Sequence, residues 1–423
     1  MPDTSKLPAG PGAADGPKTR LRPRRGLSVC ILQHSFEKHS FGISLRSTAL
    51  SAKQPEQSSG MADIDQSDGE NGQQSSLMAD IDQTDGENEL IVVAGGALAA
   101  PYVASKKRKR AAAATIHENE PGLHAFARAC FGRLRAPLPR IALAAPLDAR
   151  SAAGEAVAAA VARGGDSSRE TLRPVNETYT LDEVVDRVLQ GPSARFDVEA
   201  VGACALPPDG ATLLADVSRW AELLPRTDYT CIVADPPWPS RSAARRGAYD
   251  TARDAWRAHL RKLPVGDLAA ASGAVVAVWV TNDRKVADWV AKTLFRAWGV
   301  QHVGTWYWLK CASDGSPVLP LDEHAERKPW EPLVVGVVNA AGAVDGDAWA
   351  PRGASWLRRV PVRRAVASVP GPHSAKPRLD AALAPCFRAG APPFRGLELF
   401  GRGAFAGWTV AGDQALPLAG ADA

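Results

Sequence analysis

Cys231-Ile232-Val233-Ala234-Asp235-Pro236-Pro237-Trp238 decides the fold, because an unbroken apolar run ends abruptly in an acid, two prolines and an aromatic ring. Four consecutive apolar residues bounded by turn chemistry read as a strand buried on both faces, as in a parallel sheet covered by helices. Asp235 then stands at the carboxyl end of that strand, where open α/β sheets bind ligands. Pro236 and Pro237 hold φ at about −65° and donate to no ladder, which makes the loop a rigid platform of carbonyl acceptors. Trp238 adds a flat ring able to stack on a heteroaromatic group. Acid, fixed carbonyl and ring together suit an exocyclic amine. The 6-amino group of adenine is a poor nucleophile because its lone pair is delocalised into the ring. If Asp235 and the Pro236 carbonyl each accept one N–H, the nitrogen is drawn toward a tetrahedral shape. Attack on a sulfonium methyl then needs mainly positioning and electrostatics, with no metal and no strong base. Read as plain turn chemistry, the same letters would be a loop with a core tryptophan.

Outward from this motif the pattern is α/β. Tyr229–Ala234, Ala274–Val280, Val303–Leu309, Leu333–Val338, Ala365–Val369 and Leu397–Phe400 are short apolar, β-branched or aromatic runs. Helical stretches at 283–297 and 377–386 alternate with them, so a doubly wound, largely parallel sheet is expected. All 12 tryptophans lie between Trp220 and Trp408, which puts the main folded domain there. In Trp306-Tyr307-Trp308 alternation sends Tyr307 to the face opposite its neighbours, and all three are read as packing. Upstream, 179–190 carries apolar residues at helical spacing behind a Thr180 cap and is expected to be a helix. The Ala-rich stretch 111–165, interrupted by Gly164-Gly165, reads as an accessory helical layer.

A chain of 423 residues suggests two to three units at roughly 150 residues each. Lys and Arg total 50 against 46 Asp and Glu, a formal charge of +4, so contacts to nucleic acid must come from local clusters. Six scattered cysteines without a C-x-x-C pair argue against a zinc finger, an iron–sulfur site or a disulfide scaffold, and for a reducing compartment. No apolar run approaches the roughly 20 residues of a membrane span, so no membrane partner is expected. The first 60 residues, rich in Arg, Lys and Ser, admit a transit peptide or a tail, and their Pro and Gly favour a tail. MADIDQSDGEN at 61–71 recurs as MADIDQTDGEN at 78–88. It resembles a calcium loop only faintly, since the bidentate Glu is missing. Lys106-Lys107-Arg108-Lys109-Arg110 fits a nuclear import signal, a nucleic-acid arm or a solvated linker. The expected division is a disordered tail at 1–115, an accessory region at 116–206, a main domain at 207–416 and a tail at 417–423.

Seven blocks, in order, carry a resemblance. They are Leu213-Leu214-Ala215-Asp216, Val233-Ala234-Asp235-Pro236-Pro237-Trp238, Val278-Trp279-Val280-Thr281-Asn282, Trp306-Tyr307-Trp308-Leu309-Lys310, Lys328-Pro329-Trp330-Glu331, His373-Ser374-Ala375-Lys376-Pro377 and Glu398-Leu399-Phe400-Gly401-Arg402. Over about 207–415 the chain resembles the eukaryotic adenine-N6 methyltransferases built around the methyltransferase-A subunit, most of all the branch called methyltransferase-like protein four. The resemblance implies a Rossmann-like, S-adenosylmethionine-dependent methyltransferase of permuted motif order, with the acid-Pro-Pro-Trp block before the Gly-containing cofactor strand. It implies Asp235, Pro236, Pro237 and Trp238 at the reacting centre. Toward the cofactor it implies Asp216 and Val217 at the adenine, Arg402 and the Asp413-Gln414 pair at the ribose, Gly401 at the close approach, Asp235 again, and Lys328 at the methionine carboxylate. Arg241, Arg245 and Arg246 resemble a substrate lid that would pair with phosphates. Asp413 stands where the family usually has Asn, and Ala375 where it has His. The expected activity is adenine-N6 methylation of RNA, at an internal adenosine of a small nuclear RNA, 2′-O-methylated adenosine included. DNA methylation and a non-catalytic RNA scaffold are the alternatives. A nuclear monomer is expected, with the cytoplasm as a further location and a partner subunit as the alternative to a monomer.

Overall fold

The computed structural model describes residues 29–31, 89–95, 122–139, 147–148, 151–165, 171–238, 255–322, 327–353, 355–371 and 375–418. Among the described residues the strands are β1 Val29–Ile31, β2 Glu89–Val92, β3 Thr178–Tyr179, β4 Val188–Gln190, β5 Ala194–Val198, β6 Gly202–Leu206, β7 Ala211–Leu214, β8 Cys231–Ala234, β9 Ala274–Trp279, β10 Gln301–Lys310, β11 Trp330–Val338, β12 Gly342–Asp345, β13 Ala348–Pro351, β14 Val360–Pro361, β15 Arg363–Ser368, β16 Gly396–Leu399 and β17 Trp408–Gly412. Eleven of them form one sheet in the order β1-β2-β15-β10-β11-β9-β8-β16-β17-β7-β4. Every strand of it but β11 and β4 points the same way. The six runs expected as strands are all strands. Their apolar character follows from burial on both faces: β8 and β9 have no exposed residue.

The strand order explains the permuted motif order. β7 and β8 are consecutive in the chain, yet the last two strands, β16 and β17, lie between them. The acid turn after β8 and the glycine turn after β16 therefore become neighbours, although some 160 residues separate them in sequence. Two apolar layers cover the sheet. Ile232, Ala234, Val276, Val278, Leu397 and Leu399 look into one, and Val233, Val275, Ala277, Trp279, Trp306, Trp308 and Trp408 into the other. Tyr307 faces away from Trp306 and Trp308 into a third cluster, with Phe126 and Leu309, as alternation requires.

Several expected boundaries differ from the structure. Thr180 does cap a helix, in a complete capping box with Glu183, but that helix covers only Leu181–Val184. Asp186 adopts a left-handed φ of 60°, and Val188, Leu189 and Gln190 beyond it join the sheet as β4 instead of continuing the helix. The stretch expected as one helix at 283–297 is helical throughout, with a π segment at Val290–Leu294 in its middle. That at 377–386 shrinks to Asp380–Leu383 and a 3₁₀ turn through Cys386, because Pro385 lacks the N–H that a further turn would use.

The tail expected at 1–115 contains β1 and β2, which extend the main sheet at one edge. The accessory region serves both ends of the sheet. The helix Leu123–Phe131 packs on β2 and β15, whereas Ala152–Arg163, ended by Gly164, packs on the small sheet β3-β5-β6 at the other end. Pro417 and Leu418, expected in a terminal tail, pair with β6. The tandem repeat and the basic run Lys106–Arg110 lie outside the described residues.

Gly396 begins the strand that carries the glycine turn, and a Cβ there would meet the Trp408 ring at 2.3 Å. Gly396→Ala is therefore expected to lower stability by about 1–3 kcal/mol, by forcing Trp408 off its rotamer. The shift of the denaturant midpoint at constant m-value measures it.

Candidate active site

At the carboxyl edge of the sheet, the Asp235 N–H donates to the Leu399 carbonyl at 3.0 Å, so the acid is anchored across the β8–β16 boundary. Its side chain is 15% exposed and opens on a cavity of about 280 Å³. Lys376 donates to Asp235 Oδ2 at 2.9 Å, and the Arg402 guanidinium lies 4.0 Å from the same oxygen. Oδ1 has no partner among the described residues. Lys376 also reaches Glu331 Oε2 at 3.3 Å, and Lys310 donates to Glu331 Oε1. Five charges thus alternate in sign along the edge: Lys310, Glu331, Lys376, Asp235 and Arg402.

Two members of this ladder, Glu331 and Lys376, are held in the ionised state. Burial raises the Glu331 carboxyl, but Lys376 and Lys310 outweigh it and hold it below the ordinary carboxylate range. Burial likewise lowers Lys376, while Asp235 and Glu331 more than compensate and hold it above the ordinary lysine range. Lys376 is the residue that the reading of the sequence left without a role. Its place in the block Ala375-Lys376-Pro377 was visible, but its distance in sequence from Asp235 and Glu331 hid the pairing.

The expected site residues divide into three groups. Asp235, Gly401 and Arg402 line the cavity together with Lys376, Glu398 and Phe400. Gly401 follows Phe400, whose φ of 62° turns the chain, and a Cβ at 401 would meet Val410 at 2.3 Å. The glycine is thus required by the β16–β17 crossing as well as by any ligand. Asp216, Val217, Asp413 and Gln414 form a second group at the carboxyl ends of β7 and β17, joined by the Ala215 N–H to the Gly412 carbonyl at 3.2 Å. Asp216 Oδ1 accepts from the Ser218 N–H at 2.9 Å and from its hydroxyl at 2.5 Å, bracing the turn. Arg402 and Asp216 both act electrostatically on Asp413, so the second group borders the first.

Two expectations need correction, and a third group is not described. Lys328 is not at the cavity: its Nζ lies 3.1 Å from His124 Nε2 and donates to the Asp322 carbonyl. It precedes β11 and reaches outward to the helix Leu123–Phe131, and Lys376 occupies the cationic position beside Asp235. Trp238 is 7% exposed, its indole N–H donates to the Trp279 carbonyl at 2.6 Å, and Trp256 and Trp289 meet its ring edge-on. Arg257 lies over the same three rings at 5.3–5.7 Å. The ring therefore anchors the loop by packing instead of offering a free stacking face. Pro236 is buried, and its carbonyl already accepts the Trp238 N–H at 2.7 Å, leaving one lone pair. Arg241, Arg245 and Arg246 lie outside the described residues.

An open α/β sheet with an acid-Pro-Pro-Trp turn and a glycine turn side by side at its carboxyl edge is the architecture of the S-adenosylmethionine-dependent methyltransferases. The chain belongs to the MT-A70 family, whose pattern matches residues 229–414. It is 36% identical over 223 residues to the N6-methyladenosine RNA methyltransferase MTA1 of Pyricularia oryzae, covering 51% of this chain and 55% of that protein. Over 256 residues it is 31% identical to the MTA1 protein of Cryphonectria parasitica, covering 59% of this chain and 69% of that one. Over 216 residues it is 34% identical to the N(6)-adenine-specific methyltransferase METTL4 of Mus musculus, covering 50% and 43%. The chain thus spans about half the length of the first and third of these relatives.

Glu331→Gln leaves Lys310 and Lys376 facing a neutral amide and is expected to lower stability at neutral pH by about 3 kcal/mol. Because the folded Glu331 carboxyl is depressed, its contribution is present above the unfolded value and is lost as pH falls through the folded one. Acid titration of unfolding free energy should therefore fall more steeply below about pH 4.5 in the native chain than in the variant. Parallel curves would assign the ladder no linkage.

Proposed function

We propose that the chain transfers a methyl group from S-adenosylmethionine to N6 of adenosine in RNA. The observation that carries this reading is Asp235 itself, which lines a cavity at the sheet's carboxyl edge with Oδ2 held by Lys376 and Oδ1 without a partner among the described residues. A carboxylate so pinned accepts one amine N–H, and the remaining lone pair of the Pro236 carbonyl accepts a second, which frees the nitrogen lone pair for in-line attack.

The residues present fit the cofactor. Cations and carboxylates share the cavity wall, matching the methionyl zwitterion, and about 280 Å³ suits its extended arm. When bound, the cofactor supplies the electrophilic methyl group. Arg402 and the Asp413-Gln414 pair would hold its ribose, and Asp216 and Val217 its adenine. Lys376 would meet the carboxylate that the resemblance assigns to Lys328. Lys376, 2.9 Å from Oδ2, also orients Asp235, so that it accepts a hydrogen bond and does not swing toward solvent. Arg241, Arg245 and Arg246 would pair with substrate phosphates.

RNA is preferred over DNA because two of the three relatives are named for RNA. The finer assignment is an internal adenosine of a small nuclear RNA, 2′-O-methylated adenosine included; it rests on the resemblance to the methyltransferase-like protein four branch. Nuclear residence fits this substrate and the basic run Lys106–Arg110, and a monomer suffices if the accessory region supplies the extra binding surface.

The test is methyl transfer from labelled cofactor to RNA carrying 2′-O-methyladenosine, to unmodified RNA and to DNA of the same sequence. Activity is expected on RNA, highest on the 2′-O-methylated oligonucleotide. Asp235→Asn should cut turnover by at least about 100-fold while cofactor affinity stays within a few fold. Activity on DNA alone would replace the substrate, and bound cofactor without transfer to any polymer would favour a scaffold. In Arg402→Ala the apparent KM for the cofactor should rise about tenfold with kcat little changed. An unaltered KM would make Arg402 a structural partner of Asp235.

A further inference from the structure

Among the described residues Trp356 is the only Trp, Tyr or Phe that stands exposed, at 40%. It lies at the edge of the sheet opposite the cavity. Ser355 Oγ donates to the Ser272 carbonyl at 3.2 Å, and a Cβ on Gly273 would meet Ala340 at 2.8 Å and Leu357 at 3.1 Å, so the segment rests on the turn that leads into β9. β9 runs parallel to β8 and ends on the cavity side, so its start marks the amino edge. Leu357 bridges Phe387 in antiparallel register, with the Arg358 N–H donating to the Cys386 carbonyl and the Arg388 N–H to the Trp356 carbonyl, both at 2.8 Å. Leu357 is buried with Phe387 packed on the same layer, so alternation sends Trp356 and Arg388 together to the outer face. Arg352 joins them through its N–H, which donates to the Ala341 carbonyl at 2.7 Å beside the same turn. Arg352 and Arg388 are exposed and have no side-chain partner among the described residues, whereas Arg359 is engaged by Asp347 at 2.9 Å. From Ala348 to Gly396 the chain carries nine Lys and Arg against one acid, Asp380, which Arg378 engages. On a chain of net charge +4 this is a local basic cluster with a ring at its centre.

We propose that Trp356, Arg352 and Arg388 form a second RNA-docking surface, which holds a single-stranded flank of the substrate at the amino edge while the adenosine reacts at the carboxyl edge. The choice of polymer rests on the function proposed above. An exposed indole offers a face on which any base stacks, and guanidinium groups beside it pair with the neighbouring phosphates. A partner protein would also cover the ring, but two arginines without a counter-charge favour a polyanion. The geometry sets a length requirement. The six residues of β9 put about 20 Å between the two edges, which is about six nucleotides at a stacked spacing of about 3.4 Å. Only RNA that extends at least that far from the reacting adenosine reaches both places.

Fluorescence anisotropy on the full chain tests this with two labelled single-stranded RNAs, one of about 25 nucleotides with a central adenosine and one of about five, too short to span the edges. Trp356→Ala should weaken the long RNA about tenfold without altering its salt dependence, and Trp356→Phe, which keeps a stacking ring, should recover most of the loss. Arg352→Gln combined with Arg388→Gln should also weaken it about tenfold, and should lower the slope of log affinity against log salt by about 1.4, the share of two single-strand phosphates. The short RNA should bind native chain and variants alike, and an unchanged denaturant midpoint shows that the fold stands. Native affinity and slope in the variants would overturn the assignment and leave the surface to a partner protein. Equal loss on both RNAs, or no RNA binding by the native chain, would overturn it as well. Methyl transfer to the long RNA, measured alongside, keeps the two readings apart: its absence would remove the function proposed above, while binding lost in these variants would still establish the surface.

Discussion

Lys376 is the constraint on which the site depends. One ammonium bridges the acid that ends β8 and the acid on β11, and these strands reach the same edge from opposite directions in the sheet. Without that bridge two partly buried carboxylates would lose their shared counter-charge. With it, Glu331 is held ionised and Asp235 keeps one oxygen clear of Lys376 for a ligand. Lys310 and Arg402 close the ladder at either end, so that no charge inside it is unanswered.

The sheet makes this ladder possible by an insertion that runs against chain order. β16 and β17 enter between β7 and β8, and the Asp235 N–H is tied to the carbonyl of Leu399. Close packing leaves no freedom at this seam. Gly396 makes room for the Trp408 ring and Gly401 for Val410, so the two turns that form the cavity are held by steric exclusion as well as by hydrogen bonds. On the other face of the loop, Trp238 is fastened by Trp256, Trp289 and Arg257. The acid is thus held from both sides while its carboxylate looks into the cavity.

Much of the fold was legible in one dimension because buried strands leave an unmistakable pattern. The β8 and β9 runs are apolar on both faces, the β10, β11, β15 and β16 runs are largely so, and each is readable as a strand. The alternation in Trp306-Tyr307-Trp308 told correctly which ring faces which way. The edges were less legible. A capping box at Thr180 starts a helix wherever it occurs, but where that helix stops depends on a sheet edge waiting to pair with Val188–Gln190. β1 and β2 are too short to announce themselves before β15 offers β2 a partner and β2 in turn pairs with β1.

The sequence by itself determined that an acid sits at the end of a buried strand, followed by a rigid proline turn, and that a glycine turn closes the chain's last α/β unit. Those are local facts, carried by residue type and by periods of two and three to four residues. Tertiary structure alone decided which cation meets that acid. Lys328 and Lys376 are both near Pro and both precede folded elements, yet one reaches outward to His124 and the other inward to Asp235. It also decided that Trp238 packs instead of stacking, and that Glu398 lines the cavity with no partner among the described residues. The physical reason is that electrostatic pairing and burial depend on distance through space. A lysine's value to a carboxylate is set by the few ångströms between them, and sequence separation carries no information about those ångströms.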